Sequence, residues 1–224
     1  AWDGGDFAST VDLGRNAIEL ARPLQLWDTA LLAYGLVSAA LNRFDQPERA
    51  RAEASQGLEL ARQFGTPLDQ STLYNNLGLA HYEQGHADLA RENFEHSLEL
   101  ARQTTDLRAQ NNPLSNLAMV AAAQGNFPAA QRIYEQALTI WRKAGLRMDE
   151  ANELANLGWV AGNLGEYAKA RDYLEGQLRL AREMGDLNGE TYGAINLSAQ
   201  LIALGESSAA AGQAVHALDL ARRT

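Results

Sequence analysis

Apolar positions recur along this chain at helical spacing, and the helical segments themselves recur at a longer interval. In residues 67–106, Leu73, Leu77 and Ala80, with Tyr74 and Gly78 beside them, form one broad stripe. The pair Gly85-His86 interrupts it, and Leu89, Ala90, Phe94, Leu98 and Ala101 form a second stripe. Such spacing marks two amphipathic helices, because residues three, four and seven apart share one face. The second helix is expected from about Ala87 to Gln103, with a turn at Thr104 to Asp106. A helix of about 17 residues is roughly 25 Å long.

The same unit is written several times. IELAR at 18–22 returns as LELAR at 58–62 and 98–102, LTIWR at 138–142, LRLAR at 178–182 and LDLAR at 218–222, a period of 40 with no gap. Gly5, Gly85, Gly125, Gly165 and Gly205 share a second phase, with Asp45 standing in once. Ala50, Ala90, Ala130, Ala170 and Ala210 share a third. Ser38, Gly78, Ala118, Gly158 and Ser198, all small, share a fourth. A fixed period in this range predicts a solenoid in which each unit packs on its neighbours. The small fourth-phase residues lie on first helices and the alanines on second helices, so together they are expected to let the two backbones approach. A larger residue there would overpack the contact.

Local signals sharpen the boundaries. Pro47 and Pro128 fall in the first turn of second helices, where a missing N–H costs nothing. Gly65, Gly145 and Gly185 sit just past second-helix ends, where a left-handed residue is expected. Pro113 falls early in a first helix, so that helix should start near Asn112 or kink. The organisation expected is one continuous all-α solenoid: a half repeat at 1–24, then full repeats at 25–66, 67–106, 107–146, 147–186 and 187–224, eleven helices in all. The second helices at 6–22 and 207–222 have no partner or cap beyond them, as in a segment of a longer protein.

Composition narrows the chemistry. The net charge is −9 and cysteine is absent. An acidic chain is repelled by phosphate backbones, so no nucleic-acid partner is expected. Disulfides, thiolate nucleophiles and Cys-ligated metals are excluded. No run of about 18 apolar residues occurs, so no membrane span is expected. The opening AWDGGDF is not signal-like, and a cytoplasmic location is the default expectation. No Walker A, G-x-S-x-G or G-x-G-x-x-G motif is present, and His81, His86, His96 and His216 do not form a metal-ligand spacing. DLNGE at 186–190 lacks the ligand series of a calcium loop and reads as a helix–helix turn. Neither an enzyme nor a resident cofactor is expected.

The pattern N-L-G-x(6)-G-x(4)-A-x(7)-L at 76–98, echoed at 116–138 and 156–178, resembles the tetratricopeptide repeat. The period of 40 is longer than that family's commonest and resembles the repeats of LGN/Pins adaptors, kinesin light chain and MalT-like bacterial regulators. The position usually held by Tyr is His81, Ala121, Ala161 or Leu201, and the repeat at 26–66 lacks both the Asn and the Gly. The resemblance implies a right-handed superhelix of antiparallel hairpins. First helices would line its concave groove, and the partner would be a protein or peptide.

On that groove face the phases of residues 72, 76, 79 and 83 are expected to point inward. Asn76, Asn116, Asn156 and Asn196 make a column, one per repeat, although Asn costs up to about 0.7 kcal/mol against Ala inside a helix. A carboxamide both donates and accepts, so such a column can hold a peptide backbone regardless of its side chains. The resemblance implies that role for these four residues; the alternative is that the amides bond neighbouring helices. Asn112 and Asn152 share the face, and Leu79, Tyr82, Met119 and Trp159 are candidates to take ligand side chains. The same face carries no Lys or Arg from residue 67 onward, and the repeat at 26–66 offers only Arg43, so the family's clamp for a C-terminal carboxylate is not expected. The arginines at 22, 62, 102, 142, 182 and 222 fall in the last turns of second helices, where a cation opposes the helix dipole. Three functions remain open: a peptide- or protein-binding scaffold, a sensor arm with flanking domains in a larger regulator, and a spacer or oligomerisation element joining copies through its uncapped ends.

Overall fold

A computed structural model describes residues 4–222. It has eleven α-helices, one short 3-10 helix and no strand among the described residues. They are α1 (Gly4–Ala21), α2 (Trp27–Arg43), α3 (Pro47–Phe64), α4 (Pro67–Glu83), α5 (Ala87–Arg102), the 3-10 helix Leu107–Gln110, α6 (Asn111–Ala123), α7 (Phe127–Ala144), α8 (Arg147–Asn163), α9 (Tyr167–Met184), α10 (Leu187–Ala203) and α11 (Ser207–Ala221). Two compact units, Ala1–Val120 and Ala121–Thr224, divide the chain within α6. In the first unit α1 to α5 each pack on the next helix, and α2 also packs on α4; in the second, α7 to α11 do the same, and α8 packs on α10. No described helix is long and apolar enough to cross a membrane.

The hairpins close on the small residues. Ala50, Ala90, Ala130 and Ala170 are fully buried. Their supposed partners behave differently from the expectation. A Cβ on Gly78 would lie 2.5 Å from the ring of Phe94, and one on Gly158 would lie 2.6 Å from Leu174. The glycine therefore makes room for a large side chain of the second helix, not for the alanine backbone. At Ser38 the same phase is polar: its hydroxyl donates to the Tyr34 carbonyl at 2.7 Å.

The turns correct two further expectations. Gly85 takes φ +78°, and Asp45 adopts the same left-handed turn at φ +54° without being glycine. Gly5, by contrast, lies inside α1, which begins at Gly4. Gly145 and Gly185 are left-handed caps, but Gly65 is extended, at φ −93° and ψ 168°. Thr66 then caps α4 through a reciprocal bond with Asp69, and Pro67 opens the helix. Glycine is needed at 65 for space, since a Cβ there would lie 2.8 Å from the Cα of Ala61. Pro113 has the expected effect: α6 starts at Asn111, and the turn before it is 3-10.

The recurrent arginines tie one repeat to the next. Arg22 and Arg62 donate to the hydroxyls of Tyr34 (3.3 Å) and Tyr74 (3.0 Å), twelve residues on. Arg142 and Arg182 instead pair with Glu150 (2.8 Å) and Glu190 (2.6 Å), eight residues on. Glu190 also meets His216 of α11 at 2.7 Å. Burial alone would raise the Glu190 carboxyl, but the hydrogen bonds and charges of Arg182 and His216 outweigh it and hold the group below its usual value.

Two predictions follow from this packing. Gly158→Leu lowers the unfolding free energy by about 1–3 kcal/mol through overpacking against Leu174, whereas Gly212→Ala, in open space on α11, raises it by about 0.5–1 kcal/mol. Urea midpoints read both, and equal effects would contradict the close contact. Because Glu190 binds its proton less readily when folded, its contribution is complete above its unfolded pKa of about 4.3. It is lost as pH falls from there through the folded value. Glu190→Gln should therefore lower stability at neutral pH and flatten the loss seen on acidification; an unchanged acid limb would rule this out.

Candidate peptide groove

In the first unit the first helices α2 and α4, the 3-10 turn and the start of α6 enclose two adjoining clefts. The first, about 370 Å³, is lined by Leu32, Leu36, Leu68, Thr72 and Arg108 among others. The second, about 520 Å³, is lined by Arg43, Leu79, Glu83, Asn112 and Asn116 among others. Ala39, Asn75, Asn76 and Asn112 line both, so the two are continuous.

The asparagine column is not uniform. Asn76 is 4% exposed, and its Nδ2 donates to the Gly35 carbonyl (3.0 Å) and the Ser38 hydroxyl (2.8 Å). Its amide thus holds α4 to α2 from inside the cleft wall. Asn116 is half-buried and donates to Asn75 Oδ1 at 2.9 Å. In the second unit Asn156 on α8 is half-buried, and Asn196 on α10 is exposed. Asn112 and Asn152 are both exposed.

The apolar candidates divide as well. Leu79 and Tyr82 are half-buried against the core group of Ala90, Phe94 and Val120, and Leu79 still reaches the second cleft. Met119 is half-buried on α6. Trp159 is 50% exposed, with Phe127 packed edge-on at 5.7 Å between centroids. The Asn163 amide donates to the Trp159 carbonyl at 2.8 Å. Trp159 is therefore a braced aromatic surface.

Sequence reading missed the most apolar part of the groove. Leu32 and Leu36 are 64% and 56% exposed, and Leu68 is 42% exposed. Leu32 and Leu36 occupy the phases of Thr72 and Asn76 one repeat earlier, so carrying the face back by 40 residues would have found them. Leu68 and Arg108 share a phase one helical turn ahead of that face. Arg108 also escaped notice because the 3-10 turn, not a first helix, carries it.

Among the described residues no group of three or more His, Asp or Glu could hold a metal ion. The groove lining holds carboxamides, aliphatic side chains, hydroxyls and a few charges.

A family model described as tetratricopeptide repeat matches residues 28–103 and 109–183. A search of curated proteins finds no match. Several solved structures are similar. BtubC (BKLC) from P. vanneervenii superposes with a TM-score of 0.86 at 18% identity, over 97% of this chain and 91% of that one. The repeats of a putative kinesin light chain from Podosopora anserina give 0.70 at 14%, over 86% and 95%. A signal-transduction ATPase from Pyrococcus horikoshii with a tetratricopeptide repeat sensor gives 0.73 at 16%, over 96% of this chain and 36% of that one. At these identities the likenesses establish the fold.

The burial gradient along the column makes a stability prediction. Asn76→Ala removes two buried hydrogen bonds, to the Gly35 carbonyl and the Ser38 hydroxyl, and should cost about 1 kcal/mol or more. Asn196→Ala, on an exposed helix face, should stay within about 0.5 kcal/mol of wild type. Chemical denaturation of the two variants measures the contrast, and equal costs would argue against a wall role for Asn76.

Proposed function

The chain belongs to the tetratricopeptide repeat family, and we propose that it is an interaction scaffold that holds a peptide or protein segment against its first helices. The observation that carries this reading is the continuous cleft pair in the first unit, apolar at one end and rich in carboxamides at the other. Such a surface fits an extended chain: Asn112 and Asn116 meet its backbone, Asn75 and Asn76 form the wall, and Leu79 takes a side chain. The second unit has carboxamides of its own, Asn152, Asn156 and Asn196, and Trp159 is a ready anchor there, of the kind that dominates binding energy. Tyr82 and Met119, both half-buried, support these contacts. The groove is preformed, so ordering costs on binding fall mainly on the ligand. The role is recognition, not catalysis.

The test is a random-peptide selection against the wild type and against the combined Asn116→Ala, Asn156→Ala and Trp159→Ala variant, with circular dichroism to show that the variant is folded. The expected outcome is a shared motif enriched by the wild type and lost with the variant. Enrichment of the same peptides by both, or of none by either, would overturn the groove assignment.

A further inference from the structure

A tie that recurs in the second unit is missing from the first. Gln131 on α7 donates to Glu166 at 3.1 Å, and Arg171 on α9 donates to Glu206 at 3.2 Å. Each carboxylate belongs to the residue just before the next second helix, so the pair joins one hairpin to the following one. The same two phases in the first unit are Arg51 on α3 and His86, the residue before α5. A base stands there in place of the carboxylate. A third base adjoins them. His81, near the end of α4, takes a phase that is Leu41, Ala161 and Leu201 in other repeats, all buried. Its ring centroid lies 6.0 Å from that of His86.

Among the described residues none of the three side chains has a hydrogen bond or ion pair, and His81 Nδ1 is buried without a partner. The acids close by in the sequence do not neutralise them. Asp88 is paired with Arg91 at 2.8 Å. Glu83 lines the second groove cleft. Glu48, one turn before Arg51 on α3, makes no ion pair with it. The field at His81 has one sign. Burial lowers its pKa most, then Arg51, then His86, and no carboxylate acts in the opposite direction. The chain as a whole carries a net charge of −9, so this positive corner is a local feature.

We propose that Arg51, His81 and His86 form a receptor for a small doubly charged oxyanion of the sulfate and phosphate class, which joins α3 to the α4–α5 hairpin in the place a glutamate holds in the second unit. A guanidinium and two imidazoles supply N–H donors to its oxygens, and hydrogen bonds to an ionised acceptor are about twice as strong as neutral ones. The Arg51 charge opposes a metal cation at the same place. Binding draws a proton onto His81, because the anion reverses the field that keeps the ring neutral. None of the three residues lines the groove clefts, so the site is independent of the groove reading above. Its occupation would stiffen the joint between two hairpins of the first unit.

The probe is sodium sulfate in millimolar amounts, compared with sodium chloride at matched ionic strength. The ring-proton NMR signals of the four histidines report binding to the full chain. Those of His81 and His86 should move together and saturate, while those of His96 and His216 stay in place. Half-saturation should need less sulfate below the usual histidine pKa of about 6.5 than above it. Arg51→Gln should weaken binding about tenfold. His86→Glu supplies the missing carboxylate from within the chain, so it should abolish the sulfate response at His81 and raise the urea midpoint in sulfate-free buffer. Both replaced side chains are exposed. Shifts that do not saturate, equal shifts in chloride, equal movement of all four histidines, or an unchanged response in Arg51→Gln would each overturn the proposal.

Discussion

The close approach of the two helices in each hairpin is the constraint on which the rest of this structure depends. Second helices α3, α5, α7 and α9 each present a fully buried alanine, and each first helix a residue small enough to admit a neighbour. Where that residue is glycine, a full side chain fills the gap, Phe94 against Gly78 and Leu174 against Gly158. The exchange is a volume match across the hairpin: what one helix gives up, the other supplies. It fixes the helices' separation and therefore which face of each first helix stays uncovered. The groove is thus a consequence of how the hairpins close.

A second layer of contacts fixes one hairpin to the next. Second-helix arginines reach a tyrosine hydroxyl in the first unit and a glutamate in the second. Neutral and charged partners do the same mechanical job, and at Glu190 the link also holds the carboxyl below its usual value. Asn76 adds a third kind of link, bonding Gly35 and Ser38 of the preceding first helix. An amide whose donor is used this way is better regarded as part of the wall than as a free clamp. Exposed members of the column, such as Asn196, are under no such demand.

The period of 40, the helix positions and the proline effect at 113 were legible in the sequence because each has a one-dimensional signature. What was not legible depended on side chains meeting in three dimensions. The left-handed state of Gly145 and Gly185 was readable from their place after a helix; the extended state of Gly65 was not, because the Thr66–Asp69 cap and Pro67 pull the chain straight into the next helix. Pairing Gly78 with Ala90 was reasonable from spacing, but only geometry shows that Phe94 fills the space. In the groove, Asn112 and Asn116 line the cleft, while Arg108 enters it through the 3-10 turn, a break in the periodicity.

That break bears on how recognition arises in such folds. A perfectly regular array would present the same surface at every repeat and would distinguish partners only by their length. Here the columns are regular where they hold the protein together and irregular where they meet solvent. The alanine column is uniform, whereas the groove face changes from Leu32 and Leu36 to Thr72 and Asn76, then to Asn112 and Asn116. In the function proposed above, selectivity would come from that drift, because an aliphatic site and a carboxamide site placed side by side demand a ligand with matching order and spacing. The 3-10 turn adds a cation at the junction without disturbing the buried alanines behind it. The buried alanines lie on second helices and the changing face on first helices, so one can vary while the other is kept.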